Sequence, residues 1–297
     1  MTGAEKGFLL LSSCLGDPDR RPLSTAQLRV LADRSWRMTK PEEGRDLELQ
    51  DLTALGYGRD MAQRILELLS QEDVLAHYLR RGSRCGCYPL TRISEAYPLI
   101  LRKRLGLNSP GVLWAKGDRD LLKTPKIGLV GSRDLNPENA RFAREVGRQA
   151  ALQGYTLVSG NARGADRTAQ EACLAAGGSV ICVVADALEA HDARERVLYL
   201  SEEDFDQPFS AQRALSRNRV IHGLGEKTLV AQCSYETGGT WDGTVKNLRF
   251  GWSPVFCFAD GSPAMRQLEQ MGAQVISAAS VVDFGKLQKK NLNFFDQ

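Results

Sequence analysis

Histidine is scarce in this 297-residue sequence, which contains three. Its seven cysteines do not include two closely spaced pairs. A structural zinc site needs about four such ligands, usually two cysteine pairs or a cysteine pair with a histidine pair. Cys85 and Cys87, with His77 as a third ligand, invite a metal interpretation, but the ligand count favours two unligated thiols. We therefore predict no metal site and no cofactor.

Long apolar runs are also absent. No stretch approaches the roughly 20 residues of a membrane span, and the N-terminal residues MTGAEKGFLLLSSCLGD have too short an apolar core for a secretory signal. A hydrophobic content of 42% still supports a globular core. We expect a cytoplasmic protein without membrane contact. We also expect no disulfides, because the cysteine number is odd and three cysteines lie in or at the end of predicted buried strands, namely Cys182, Cys233 and Cys257.

A large charge excess is missing too, since Lys and Arg together number 39 and Asp and Glu 36. Non-specific nucleic-acid binders commonly carry a strongly basic domain. Any nucleic-acid binding by this chain must therefore come from the local placement of a few cations. The arginines at or near predicted strand ends and helix starts are Arg133, Arg163, Arg213, Arg217 and Arg219.

Residues 126–185 have the pattern of a nucleotide-binding α/β unit. Ile127–Val130 is a short aliphatic run, typical of a strand buried on both faces of a parallel sheet. A helix is predicted after it, with Asn136 as the N-cap and Pro137 at the first helical position. The residues between this strand and this helix include Gly131, Ser132 and Arg133.

A second loop of the same kind, residues 159–166, follows the predicted strand Tyr155–Val158. Glycines at such turns let the backbone approach a ligand, and a helix N-terminus favours an anion. Arg133 and Arg163 are therefore candidates to grip phosphate oxygens. The alternative is purely structural: the glycines close tight turns, Asp166 caps a helix and both arginines are solvated.

Three motifs together resemble the DNA-processing protein A family, also called DprA or Smf. They are VGSR at 130–133, SGNARGAD at 159–166 and SRNRVIHGL at 216–224, and residues 96–122 resemble the segment that leads into the family's Rossmann-like domain. The resemblance implies a protein that binds and protects single-stranded DNA and hands it to a RecA-type recombinase during DNA uptake, transformation or recombination. It also implies a homodimer.

The segment after residue 185 departs from that family, because it is more acidic and lacks the expected Tyr-Pro and Asn. The triplet of Arg217, Asn218 and Arg219 remains, at a predicted helix start. An Asn between two arginines suits a base edge and two phosphates. The alternative is a helix-capping Asn with two surface arginines.

The sequence of the turn after the predicted strand Thr228–Ala231 is intermediate between the turn sequences of two protein families. The DprA family has a Ser-Gly-Ser-rich turn here, whereas the related phosphoribohydrolases, or LOG proteins, have Gly-Gly-x-Gly-Thr and a nearby Glu. Gly238, Gly239 and Thr240 predict a further phosphate site at a helix start. Trp241 either stacks on a base or packs under the loop.

Catalysis is not required for this function, so we predict no enzyme. The competing hypothesis is a nucleotide sensor or a phosphoribohydrolase-like enzyme that takes a free nucleotide ligand, with Glu236 or Asp242 as general acid or base on an N-glycosidic bond. A carboxylate beside a glycine loop is more often a helix cap. The predicted DNA- and phosphate-binding residues are Gly131, Ser132, Arg133, Ser159, Gly160, Arg163, Gly164, Asp166, Arg217, Asn218, Arg219, Gly238, Gly239 and Thr240.

The predicted fold class is α/β: a doubly wound, mostly parallel Rossmann-like sheet preceded by a small all-helical domain. We assign residues 1–85 to the helical domain and 86–297 to the Rossmann-like domain, with a ligand crevice at the carboxyl ends of the strands. Residues 52–69 either form a helix-hairpin-helix, which presents backbone N–H groups to DNA phosphates, or belong to an ordinary packing domain. We expect no appended winged-helix domain.

Overall fold

The computed structural model describes residues 1–36 and 46–288. The chain divides into two compact units, and the boundary predicted at residue 85 stays a prediction. The first unit comprises residues 1–97, 110–114 and 202–207, and the second comprises residues 98–109, 115–201 and the chain from residue 208 onward.

Five helices form most of the first unit. They are α1 (Gly3–Ser12), α2 (Thr25–Ser35), α3 (Leu49–Ala54), α4 (Arg59–Leu69) and α5 (Glu72–Arg84), followed by strand β1 (Cys87–Thr91). A capping box opens α2, because the Gln27 N–H donates to the Ser24 hydroxyl at 3.3 Å and the Ser24 N–H donates to the Gln27 side chain at 2.9 Å. The core of this helical layer contains Leu23, Leu52, Ala62, Ile65 and Leu68.

The second unit is an α/β layer structure. After β2 (Val112–Gly117), its strands are β3 (Lys126–Val130), β4 (Thr156–Ser159), β5 (Val180–Val183), β6 (Val197–Ser201), β7 (Lys227–Val230), β8 (Val255–Phe258) and β9 (Gln274–Ile276). Its helices are α6 (Leu99–Leu105), α7 (Pro137–Leu152), α8 (Ala165–Ala175), α9 (Ala211–Ser216), α10 (Asn218–Leu224), α11 (Gly238–Phe250) and α12 (Pro263–Gln270).

Strands β3 to β9 pair in the order β6-β5-β4-β3-β7-β8-β9, and each pairing is parallel. From β3 the chain builds outward through β4, β5 and β6, then returns to add β7 on the other side of β3. The sheet therefore reverses its direction of growth between β3 and β7. In doubly wound sheets this reversal opens a crevice at the carboxyl ends of the two strands.

The predicted fold class is confirmed, and so is the start of α7, where Asn136 is the N-cap and Pro137 opens the helix. Strand β3 is buried along its whole length, as expected for a central parallel strand. Strand β6 was not predicted, although Val197–Ser201 is also fully buried. Its five residues form a short apolar run between strongly charged segments, and the flanking charges obscure the pattern of a buried strand.

Candidate functional site

A cavity of about 450 Å³ lies at the reversal point, where β3, β4 and β7 end. We call it the crevice. Its walls come from the loops after these three strands and from helix α9 with the start of α10. The residues that line it include Gly131, Ser132, Arg133, Asp134, Ala162, Asp166, Arg217, Asn218, Gln232, Gly238, Gly239 and Thr240.

Main-chain hydrogen bonds join the three loops. The Ser132 N–H donates to the carbonyl of Gln232 at 2.9 Å, and the Ala165 N–H donates to the carbonyl of Ser132 at 3.1 Å. The Gln232 side chain extends this link, since its Oε1 accepts the Asn136 N–H at 2.9 Å. Sequence reasoning missed Gln232, because nothing in the local pattern shows that the loop after β7 meets the loop after β3.

Gly164 occupies the tightest point of this junction. Its φ is +85°, and a Cβ there would lie 2.3 Å from the carbonyl oxygen of Arg133 and 2.4 Å from that of Ser132. Only glycine combines this backbone conformation with such close contact. Gly131 fits as closely, since a Cβ would lie 2.4 Å from the Cβ of Ala165. These two glycines set the distance between the loops and need not contact a ligand.

Asp166 holds the loop after β4 in its conformation. Its Oδ2 accepts the N–H groups of Gly160 and Ala162, each at 3.1 Å, and the residue is buried. Burial raises the pKa of Asp166, while the nearby charge of Arg217, with Oδ2 3.9 Å from Nη2, lowers it. Oδ2 of the carboxylate therefore binds the loop's own N–H groups.

Arg217 and Asn218 form the floor of the crevice. Arg217 is 8% exposed, and its guanidinium donates to the Gly160 carbonyl at 3.0 Å and to the Asn218 side chain at 2.6 Å. Asn218 in turn donates to the Gly239 carbonyl at 2.8 Å. A buried chain of polar contacts therefore runs from the loop after β4 to the start of α11.

Arg133 and Arg163 are the exposed arginines of the loops. The Arg163 guanidinium pairs with Asp134 at 2.7 Å, and both side chains are largely exposed. The Arg133 guanidinium, by contrast, makes no hydrogen bond or ion pair with any residue that the structure describes. Of these two arginines, Arg133 lines the crevice and has its full donor set available.

The start of α11 supplies a second group of donors. The N–H groups of Gly239 and Thr240, in its first turn, donate to no residue within the described part of the chain. Helix α11 is 13 residues long, and Thr237 at its N-cap makes no side-chain capping bond. The positive end of its dipole therefore faces the crevice with unsatisfied donors, the arrangement that binds anions in many α/β proteins.

Five predicted site residues are not among the described residues that line the crevice, namely Ser159, Gly160, Arg163, Gly164 and Arg219. Ser159 is fully buried, and its hydroxyl accepts a hydrogen bond from the Gln170 side chain at 2.5 Å. Arg219 is half-buried on α10 and is not among the described residues that line the crevice. Successive residues of a helix are rotated by about 100°, so Arg219 projects from a different face of α10 than Asn218.

The carboxylates of the enzymatic hypothesis do not line the crevice among the described residues. Asp242 pairs with Lys246 one helical turn later, at 2.8 Å. Glu236 is exposed in a left-handed backbone conformation and bonds the Tyr235 hydroxyl, an interaction that raises the pKa of Tyr235. Trp241 packs edge to face against Tyr235, with ring centroids 5.3 Å apart.

One wall of the crevice is apolar, and the sequence did not predict it. Helix α9 lines the crevice with Ala211, Ala214 and Leu215, and Leu215 is 45% exposed. A base or a sugar can pack on such a surface while the donors on the opposite side hold a phosphate.

A buried histidine lies behind this site. His222, on α10, is 0% exposed, and its Nδ1 lies 2.9 Å from the side-chain nitrogen of Asn247. Burial, together with the smaller effect of the positive charge of Arg217, lowers the pKa of His222 to about 3. The imidazole is therefore neutral at physiological pH.

Within residues 1–36 and 46–288, no group of three or more His, Cys, Asp or Glu side chains is placed to hold a metal ion. None of the helices described over the same residues combines the length and apolar character needed to cross a bilayer.

Comparison with known proteins gives a consistent result. The family model described as DNA recombination-mediator protein A matches residues 89–282. The DNA processing protein DprA of Bacillus subtilis is 28% identical over 236 residues, which cover 74% of this chain and 77% of that protein.

Solved structures agree on the fold. The crystal structure of DprA from Streptococcus pneumoniae superposes with a TM-score of 0.70 at 26% identity, covering 95% of this chain and 97% of that one. A structure of DNA processing protein A from Helicobacter pylori, described for its single-stranded DNA binding mode, gives a TM-score of 0.55 at 24% identity and covers 66% of this chain and 94% of that one.

Proposed function

Because the chain belongs to the DNA recombination-mediator protein A family, we propose that it binds single-stranded DNA in the crevice and passes the strand to a RecA-type recombinase. The observation that supports this proposal is that Arg133 and the N-terminus of α11 line the same crevice. A guanidinium without a protein partner and a helix N-terminus with unsatisfied N–H groups both line one cavity. Both groups favour a phosphate.

The division of the crevice into two faces explains why a nucleotide polymer fits. Arg133, Gly239 and Thr240 contact a backbone phosphate, while the exposed side chain of Leu215 and its alanine neighbours pack against the base or sugar. None of these contacts reads the hydrogen-bonding edge of a particular base. Binding is therefore tolerant of sequence, as expected for a protein that coats or transfers single strands.

Arg217 acts through the loops in this proposal. Its guanidinium is committed to the Gly160 carbonyl and the Asn218 side chain, so it fixes the crevice floor and adds positive potential there. Arg163 is available to a phosphate only if it gives up its ion pair with Asp134. Arg133 is thus the dominant side chain for affinity.

Binding alone requires no chemical step, and we propose that the chain is not an enzyme. Handing the strand to a recombinase and assembly as a homodimer are parts of the same proposal that rest on the family. The handover is tested by adding the chain to single-stranded DNA coated with a single-strand binding protein, and by measuring the DNA-dependent ATPase activity of the recombinase. If the chain makes the ATPase activity of the recombinase begin sooner, the result supports a mediator role. If the onset of that activity is unchanged, the result contradicts it.

The experiment that tests the crevice is a titration of a labelled oligothymidine at several salt concentrations. If three to five phosphates are neutralised, the log–log salt slope should be roughly −2 to −3.5. Arg133→Ala should weaken binding by about 1.5 to 3 kcal/mol, the range of a charged hydrogen bond, and leave stability within about 0.5 kcal/mol of the wild type.

Arg148→Ala is the matched control. Arg148 is also an exposed arginine of the second unit, on α7, where it pairs with Glu145 at 2.7 Å. It carries the same charge but lies in the C-terminal half of α7, toward the opposite end of the sheet. Normal binding by Arg133→Ala, or equal losses in both variants, would remove the DNA site from the crevice.

A further inference from the structure

A second cavity, of about 270 Å³, lies beside the crevice in the same unit. It is bounded by the loop after β4, the first turns of α8 and the connection that runs from β5 into β6. The residues that matter for its chemistry are Asn161, Arg167, His191, Arg194 and Tyr199. None of them was predicted as a site residue, and none lines the crevice.

The loop after β4 separates the two cavities and contributes to both. Ala162 and Asp166 line the crevice, whereas Asn161 and Arg167 line the second cavity. Asn161 has a φ of +57°, a left-handed conformation that asparagine tolerates better than most residues. This local turn sends neighbouring residues to opposite sides of the loop.

Hydrogen bonds hold this loop in one conformation, so the relative positions of the two cavities are fixed. The buried Asp166 carboxylate accepts two of its N–H groups, and Arg217 donates to the Gly160 carbonyl. A strand that leaves the crevice over this loop arrives directly at the second cavity.

The second cavity carries two arginines from different elements. Arg167 is on α8 and Arg194 precedes β6, and both are exposed. The Arg167 guanidinium makes no hydrogen bond or ion pair with the residues described in the structure. Arg194 hydrogen-bonds the Tyr199 hydroxyl; burial raises the pKa of Tyr199 and the Arg194 charge lowers it. Glu171 also lines the cavity, which leaves one excess positive charge.

One wall of the cavity is aromatic. The imidazole of His191 stacks on Tyr199 with ring centroids 4.7 Å apart and planes 18° apart. Asp186 fixes that imidazole through a contact of 2.9 Å with its Nε2. Both rings are largely buried, with Tyr199 6% exposed, so they form a rigid wall behind the two guanidinium groups, which can hold a phosphate of the strand.

We propose that the second cavity is an additional nucleotide subsite for the same single strand, in which Arg167 and Arg194 hold a backbone phosphate beyond those bound in the crevice. This inference rests on the proposed function. It assigns a direction to the strand, which crosses the loop after β4 toward β5 and β6. It also predicts that affinity increases with strand length until both cavities are filled.

The test compares a short oligothymidine of about 4 nucleotides with a long one of about 16 nucleotides, the span of known single-strand sites. In wild type the long strand should bind more tightly and with a steeper salt dependence. Arg167→Ala/Arg194→Ala should weaken binding of the long strand about tenfold and reduce its salt slope by roughly 0.7 for each phosphate lost, with the short strand unaffected. Thermal unfolding should confirm that both arginines are dispensable for folding.

The charge-matched control is Arg148→Ala/Arg249→Ala, which removes two arginines from α7 and from the last turn of α11. It should bind both strands normally. Wild-type affinity of Arg167→Ala/Arg194→Ala for the long strand would overturn the subsite while leaving the crevice intact. Equal weakening at both lengths would also overturn it, because the second cavity would then be the primary site. No binding of either strand by the wild type would overturn both proposals.

Discussion

The Arg217 guanidinium lies directly against Gly160, where a Cβ would come within 2.0 Å of both Nη1 and Nη2. The two residues are far apart in sequence, yet the hydrogen bond between them closes the floor of the crevice. This contact separates arginines that build the site from arginines that face a ligand, and the two kinds should respond differently to mutation.

Arg217→Ala should lower the free energy of unfolding by about 3 kcal/mol or more, because it leaves the buried Asp166 carboxylate without its nearest cation. DNA binding should also be lost, because the loop after β4 would lose its hydrogen bond to Arg217. Chemical denaturation gives the stability, and Arg133→Ala is the comparison, since that exposed arginine should affect binding alone. A fully stable Arg217→Ala protein would contradict this structural role.

Asp134→Asn should tighten DNA binding by about threefold to tenfold, because it removes a carboxylate from the crevice lining and releases Arg163 from its ion pair. The same change should shift stability little, since exposed ion pairs contribute about 0 to 1 kcal/mol. Fluorescence anisotropy at constant salt measures the gain. The gain should be smaller in Asp134→Asn/Arg163→Ala, where only the loss of the lining carboxylate remains, and weaker binding by the single variant would sink the idea.

Gly164→Ala should destabilise the second unit by more than 2 kcal/mol, since the new methyl group would meet two carbonyl oxygens and the backbone at φ +85° and ψ −124°, which residues other than glycine rarely adopt, itself costs about 1 to 3 kcal/mol. Gly154→Ala is the control for the backbone cost. Its φ is +73°, but a Cβ there meets nothing within 4 Å. Gly164→Ala should lose more unfolding free energy than Gly154→Ala, because the close approach of the loops and the ψ of −124° both act at Gly164, and equal losses would contradict this.

His222 should make stability fall with acidification. Its pKa is about 3 in the folded protein, below the ordinary value of 6.5, so the unfolded chain binds the extra proton first. The stabilisation is fully present above about pH 6.5 and is lost as the pH falls toward 3, at up to about 1.4 kcal/mol per pH unit. Urea titrations of the wild type and His222→Gln give this slope by difference. A slope shared by the wild type and His222→Gln would refute the assignment.

Incubation with nucleoside monophosphates should release no free base. Neither Glu236 nor Asp242 lines the crevice among the described residues, and Asp242 is engaged with Lys246. Chromatography of the reaction mixture checks this. Base release that is abolished by Glu236→Gln or Asp242→Asn would establish the hydrolase hypothesis instead.

The sequence carried the local features of this site well. Short apolar runs ending in glycine located β3 and the loop that follows it, and the proline at the start of α7 marked that helix correctly. These features depend on backbone conformation and on burial within a few residues, which a single sequence expresses directly.

The roles of individual side chains were harder to predict. Arg217 and Arg133 are the same residue type beside similar turns, and only the folded chain shows that one is buried and the other is free of protein partners. Gln232 and the wall of α9 depend on contacts between distant loops, and the second cavity depends on β6, which the flanking charges concealed. Burial and long-range contact are properties of the tertiary structure, so no local pattern reports them.

The main-chain hydrogen bonds between Ser132, Gln232 and Ala165 have a consequence for evolution and for engineering. A bond between peptide groups survives the exchange of side chains, provided that the glycines at the junction are kept. The loops of the crevice can therefore change their outward-facing residues without losing their mutual positions. This separation lets the same frame acquire new ligand preferences by single substitutions, and it makes residues 133, 134 and 240 suitable positions for a directed library.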